Sequence, residues 1–215
     1  MLPSIAEAYW QSRAQVAISA GGGASTTWNP ADKNAAFDLT NGNLTATVNV
    51  DTTYVSVRAI ASNSSGKHYY ELTLTGVVNA ANMITGIANS TESLTGFCGQ
   101  STNSIGYQAS GGVVYINGSP TTGSPIQTSV ESDVLCVAVD LGNSKIWYRT
   151  NGGNWNNDVI GNQNPATNTG GISISGLAAG PYFPCASGHS HFDAWTANFG
   201  GSAYAQTPPS GFGNW

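Results

Sequence analysis

Three titratable side chains and a hydroxyl cluster in His189-Ser190-His191-Phe192-Asp193, the tightest such grouping in the sequence. On a strand, His189, His191 and Asp193 would share one face, because side chains alternate with a period of two. Two imidazoles and a carboxylate with an open position make a ligand set for a divalent metal. On a loop at the end of a β-structure the same residues are simply polar and solvent-facing. Catalysis asks for more: a nucleophile or a carboxylate pair within reach of a base, and no base partner stands beside this cluster. The expectation is a non-enzymatic chain without catalytic residues or cofactor, with His189, His191 and Asp193 as its only metal candidates. Calcium has no better site. Asp32, Asp38, Asp51, Asp133, Asp140 and Asp158 are scattered, and no Asp-x-Asp-x-Asp loop with a Glu behind it occurs. Asn156-Asn157-Asp158 offers three oxygens at consecutive positions, which point in different directions.

Glycan recognition needs flat aromatic faces with amides and hydroxyls beside them. Trp155 lies amid Asn154, Asn156 and Asn157, while Phe97 and Tyr107 lie in Gly- and Ser-rich segments. Phe97, Tyr107, Asn154, Trp155 and Asn157 are therefore the candidate ligand-binding residues. Trp195, in the last strand, reads as packing. Charge argues against nucleic acid: 6 Lys and Arg stand against 11 Asp and Glu, a net charge of −5. Arg13, Lys33, Arg58, Lys67, Lys145 and Arg149 form no patch, and Lys145 and Arg149 are expected on the solvated face of one strand. No run reaches the roughly 18 apolar residues of a spanning helix, so membrane insertion is not expected.

The elements that must position these residues follow from composition. Only 8% of residues are charged, against about 25% in an average soluble protein. Polarity comes instead from Ser, Thr and Asn, which fill 66 of 215 positions. These residues compete for backbone hydrogen bonds and disfavour helix interiors, while Thr suits strands and Asn and Ser suit turns. With 27 Gly and 9 Pro for chain reversal, and 6 Trp, 9 Tyr and 6 Phe to bury, the chain is all-β with many hairpins. Cys98, Cys136 and Cys185 are odd in number and far apart, which argues against a disulfide scaffold; whether Cys98 and Cys185 pair stays open. Cys136, inside an apolar run, reads as a small buried hydrophobe. Without a basic and apolar leader no secretory signal is expected, so the protein is assembled inside a cell or leaves by lysis or another route.

Residues 1–24 read as a short helical arm. Ser4 and Glu7 form a capping box, Ile5, Tyr9 and Val16 recur at helical spacing beside Trp10, and Gly21-Gly22-Gly23 ends the helix. The arm either packs on its own domain or docks another subunit through Ile5, Tyr9 and Trp10. Residues 25–215 read as one domain of about twelve short strands. Phe37–Leu39 and Leu44–Val48 flank the hairpin dipeptide Asn41-Gly42, Tyr54–Ala61 alternates, and Tyr70, Leu72 and Leu74 alternate with polar residues. Val134–Asp140 is apolar on both faces and is expected to be a covered central strand. Such strands without internal repeat make a two-sheet antiparallel β-sandwich.

Several motifs then resemble the SPRY domain. Ser65–Glu71 resembles its Gly-Lys-x-Tyr-aromatic-Glu strand, and Asp133–Asp140 with Lys145–Gly152 resembles its central hairpin. Pro181–Pro184, Asn198-Phe199-Gly200 and Thr207–Phe212 resemble the family's closing stretches. The departures are Cys136, where the family often has Gly, and the long polar insertion Gly161–Gly171. The lead-in Thr27–Lys33 through Leu44 is similar to SPRY-like proteins of bacteriophages and prophages. The resemblance implies a concanavalin-like jelly-roll sandwich that binds through loops at one end, with Lys67 and Glu71 placing a loop and closing the core. It further implies a virion structural or interaction protein: a capsid decoration, a fibre or a tail-attached adhesin. Its arm would dock other virion subunits, and it would act as an oligomer within a particle assembled in the host cytoplasm. With no linker to further modules, fibre length would come from assembly with other chains. Host surface glycan or protein is the expected partner of the loops, and a carbohydrate-binding module is the alternative reading.

Overall fold

The structure, a computed structural model, describes residues 26–121 and 127–215. The expected arm, with Ile5, Tyr9 and Trp10, lies outside the described residues. Among the described residues fifteen strands form two sheets: β1 Trp28–Lys33, β2 Phe37–Thr40, β3 Thr45–Val48, β4 Val55–Ala59, β5 Lys67–Gly76, β6 Ile84–Asn89, β7 Ser104–Gln108, β8 Val114–Ile116, β9 Ser119–Pro120, β10 Val134–Asp140, β11 Lys145–Thr150, β12 Ile172–Ser173, β13 Tyr182–Gly188, β14 Ala194–Asn198 and β15 Gly213–Asn214. One sheet runs β1-β4-β13-β6-β7-β8-β9 and the other β12-β11-β10-β5-β14-β3-β2. Pairing is antiparallel except for β15, which lies parallel to the start of β5. Among the described residues helix is confined to three short 3-10 turns. The sequence pattern anticipates this two-sheet sandwich; it undercounts the short strands β9, β12 and β15.

Alternation decides what lies between the sheets. Tyr70, Leu72 and Leu74 of β5, Leu135, Val137 and Val139 of β10, and Val57 of β4 share the central core with Trp28, Trp195 and Phe199. Asn41 (φ 52°) and Asn43 (φ 65°) make the reversal between β2 and β3, a conformation Asn tolerates unusually well. Register then pairs Phe37 with Val48.

The two outer faces are not bare. On the β10 side, Tyr69, Cys136, Ala138, Trp147 and Trp155 form a second apolar cluster, capped by Tyr204 and Phe212. This cover is why β10 is buried along its whole length, as its sequence requires. Glu71 anchors it: its carboxylate accepts from the Tyr69 hydroxyl at 2.7 Å and from the backbone N–H of Ala205 and Gln206, each at 2.8 Å. On the β13 side, the loop between β6 and β7 folds over the sheet, and Cys98 in that loop is disulfide-bonded to Cys185 of β13. Ser56 of β4 donates to the Gly96 carbonyl beneath the loop. For this reason β4 is buried on both faces, where its sequence suggests alternation.

Candidate functional site

The segment His189–Asp193 is a tight turn between β13 and β14, not a strand, so its three titratable groups do not share a face. Asp193 is fully buried and turned inward. One oxygen accepts from the backbone N–H of Val78 (3.0 Å) and Asn79 (3.3 Å), the other from that of Ser190 (3.0 Å). A carboxylate so occupied organises loops. Among the described residues no group of three His, Cys, Asp or Glu stands close enough to hold a metal, His189, His191 and Asp193 included.

The turn contributes instead to an end of the sandwich built from several loops. Phe192 N–H donates to the Val48 carbonyl, Thr52 N–H to the His189 carbonyl, and His191 N–H to the Asp51 carboxylate at 2.8 Å. At the centre Phe192 is 62% exposed with φ 77°, a conformation a bulky residue rarely adopts unless its surroundings impose it. The His191 ring stacks on it with centroids 3.7 Å apart. Val50 and Val78, on the two loops bonded to this turn, are exposed as well. The sequence points to this place through the two histidines but not to Phe192, whose exposure follows from the turn alone.

The expected ligand residues fall on different sheets. Tyr107 of β7 is buried between the sheets, stacked on Tyr148 at 5.4 Å, with its hydroxyl bonded to the Gln127 carbonyl. Trp155 is 8% exposed, packed edge-on against Tyr69, and the Arg149 guanidinium lies 4.4 Å from its ring centroid. Little of either ring is open to a ligand, because each closes an apolar layer. Asn154 and Asn157 beside Trp155 remain exposed. Arg149 also donates to the Thr207 carbonyl, and Lys145 to the Asn168 carbonyl, so the expected solvated face is in fact covered by two loops. Trp195 is core.

Phe97 differs. It is half-exposed on the outer face of the β13 sheet, between Tyr54 (centroids 5.0 Å apart) and Tyr115 of β8 (5.6 Å), and Tyr54 in turn meets His189 at 5.6 Å. Burial, then the neighbouring Tyr115 and Asp193, push the Tyr54 hydroxyl up, so it stays a neutral donor. It donates to the Ala81 carbonyl. The Gln100 side chain accepts from the Phe97 N–H at 3.1 Å through Oε1, which leaves its amide NH2 without a partner among the described residues. This aromatic row, running up to the His189 turn, is the second feature of the same end.

No protein-family model matches the sequence, and no curated protein matches it. Solved structures do. The chain is similar to the SPRY domain of human HERC1, with TM-score 0.65 and 13% identity over 82% of this chain and 99% of that one. It is similar to the TRIM65 PSpry domain, with TM-score 0.57 and 13% identity over 81% of this chain and 92% of that one. Stonustoxin matches at TM-score 0.52 and 15% identity, over 81% of this chain but 27% of its own length. The fold is therefore a SPRY-like β-sandwich.

Proposed function

We propose that this SPRY-like sandwich is a non-enzymatic interaction module of a bacteriophage virion, anchored through residues 1–24 and displaying the loop end that carries Phe192. The observation that carries this reading is the placement of the two ends. Thr26, where the arm joins the sandwich, accepts from Ala61 N–H, beside the loop that opens β5. Phe192, Val50 and Val78 lie at the opposite end, where β3, β5 and β13 finish. An anchor at one end leaves the other free to meet a partner. Exposed apolar side chains on a framework fixed by Asp193 suit a binding surface, since pre-organised anchors lose little entropy on association. The Asp193 carboxylate is saturated by backbone N–H groups, which suits a loop anchor rather than a general base.

The virion setting rests on the likeness of the lead-in Thr27–Leu44 to phage and prophage proteins. In that setting Ile5, Tyr9 and Trp10 dock neighbouring virion subunits, the module is present as many copies on one particle, and assembly takes place in the host cytoplasm. Particles lacking this protein test it. Full-length protein is expected to decorate them and a version lacking residues 1–24 to fail, with both folding alike by circular dichroism. Equal decoration by both would overturn the anchoring role. A carbohydrate-binding module is the second reading, favoured by the row of aromatic rings around Phe97.

A further inference from the structure

We infer that Phe97, flanked by Tyr54 and Tyr115 and accompanied by the Gln100 amide, forms the binding site for an uncharged glycan; the inference rests on the carbohydrate-binding reading and assigns its site and ligand class. Three observations carry it. The first is chemical: Phe97 is a partly exposed aromatic ring, the kind of group that packs on the apolar C–H side of a sugar, and the neighbouring residues Gln100 and Tyr115 carry an NH2 and a hydroxyl, neither partnered among the described residues. The second is rigidity. Cys98, next to Phe97, is disulfide-bonded to Cys185, and its N–H donates to Ser187 at 2.9 Å. Gly99 N–H donates to Ser104 at 2.6 Å, and a Cβ at Gly99 (φ 99°) would sit 2.4 Å from the Tyr115 carbonyl, so only glycine brings this loop onto β8. A ring and an amide fixed before the ligand arrives lose little entropy on binding.

The third observation sets the ligand's charge. Each of the five described cationic side chains is already engaged: Lys33 with the Phe37 carbonyl, Arg58 with Asp32, Lys67 with Asp140, Lys145 with the Asn168 carbonyl and Arg149 with the Thr207 carbonyl. None of these engagements is with Phe97, Tyr54, Tyr115 or Gln100, and the chain carries a net charge of −5. An acidic polysaccharide would meet repulsion with no compensating ion pair. A neutral one needs only the ring and the hydrogen bonds.

The test is an array of neutral and acidic oligosaccharides probed with the full chain, followed by titration of the best neutral binder. Phe97→Ala and Gln100→Ala are each expected to weaken binding about tenfold or more, the loss of one good contact of roughly 1.4 kcal/mol. Val130→Ala, at an exposed position ahead of β10 with no part in either surface, is expected to bind like the parent. Gln100→Glu keeps an acceptor for the Phe97 N–H and removes the NH2, so an equal loss in it separates a lost contact from a shifted loop. If the parent binds no oligosaccharide, the carbohydrate-binding reading falls and this site with it. If the parent binds but both variants bind equally well, the site assignment falls while that reading stands. Binding confined to acidic sugars overturns the ligand class.

Discussion

A carboxylate with no exposed surface, Asp193, holds the end of the sandwich around Phe192 together by accepting from three backbone N–H groups on two loops. Removing it strands those donors, so Asp193→Ala should cost about 3 kcal/mol in urea unfolding, at roughly 1 kcal/mol or more per buried donor left unpaired. Asp193→Asn keeps one oxygen, and with it the bonds from Val78 and Asn79, and should cost less. Cys136 makes a second residue-level prediction. Burial pushes its thiol up to about 11, so at pH 8 the native protein should leave it unmodified by a thiol reagent, and denaturant should expose one reactive thiol. A fast native reaction would contradict its place beneath Trp155 and Tyr204. Burial also raises the Asp140 carboxyl, but hydrogen bonds from Asn143 and the Lys67 ammonium outweigh it and hold it below the usual carboxylate range. Its contribution is therefore present above about pH 4, the ordinary value of an unfolded Asp, and is lost as pH falls through the lower folded value. Asp140→Asn should flatten that acid limb of the urea midpoint against pH.

The loop between β6 and β7 acts as an element in its own right, because it covers the outer face of one sheet and carries Phe97. Its disulfide joins residues 87 apart in sequence. Cys98→Ser with Cys185→Ser should lower stability by about 2–5 kcal/mol, the usual range for a native disulfide, measured as a fall in urea midpoint. The same pair should weaken glycan binding, since the loop loses its tie to β13. Unchanged binding would separate the covalent tie from the site. On the other sheet, Glu71 plays the corresponding part through Ala205 and Gln206. Glu71→Ala should speed amide exchange at residues 203–206 while leaving β10 and β11 protected.

At the scale of the molecule, Thr26 and the loops carrying Phe192, Val50 and Val78 lie at opposite ends, so labelling on particles tests the proposed anchoring. Cys136 is buried and the other two cysteines are bonded, so a new surface cysteine would be the single reactive one. Val78→Cys should label readily on particles, and Ser64→Cys, beside the arm joint, should be protected there yet label in free protein. Equal labelling of both on particles would mean that the sandwich lies flat on its support. The arrangement also explains how few charges suffice: engaged cations hold loops, and Ser, Thr and Asn make up the wet surface.

Sequence by itself determined the class of this protein and most of its strands. The Ser/Thr/Asn-rich composition excludes long helices, Asn41-Gly42 marks its hairpin, and the doubly apolar β10 announces a covered centre, all local properties of the chain. Glu71 and Cys136 were legible too, as a loop anchor and a buried thiol. Tertiary structure alone decided which aromatic rings are buried. Whether the Trp155, Tyr107 or Phe97 ring reaches solvent depends on which loop lies over which sheet, and the Tyr69, Tyr148 and Cys185 that settle it are far away in sequence. The same holds for Asp193, which looks like a metal ligand beside two histidines until the N–H groups of Val78 and Asn79, more than a hundred residues earlier, fold against it.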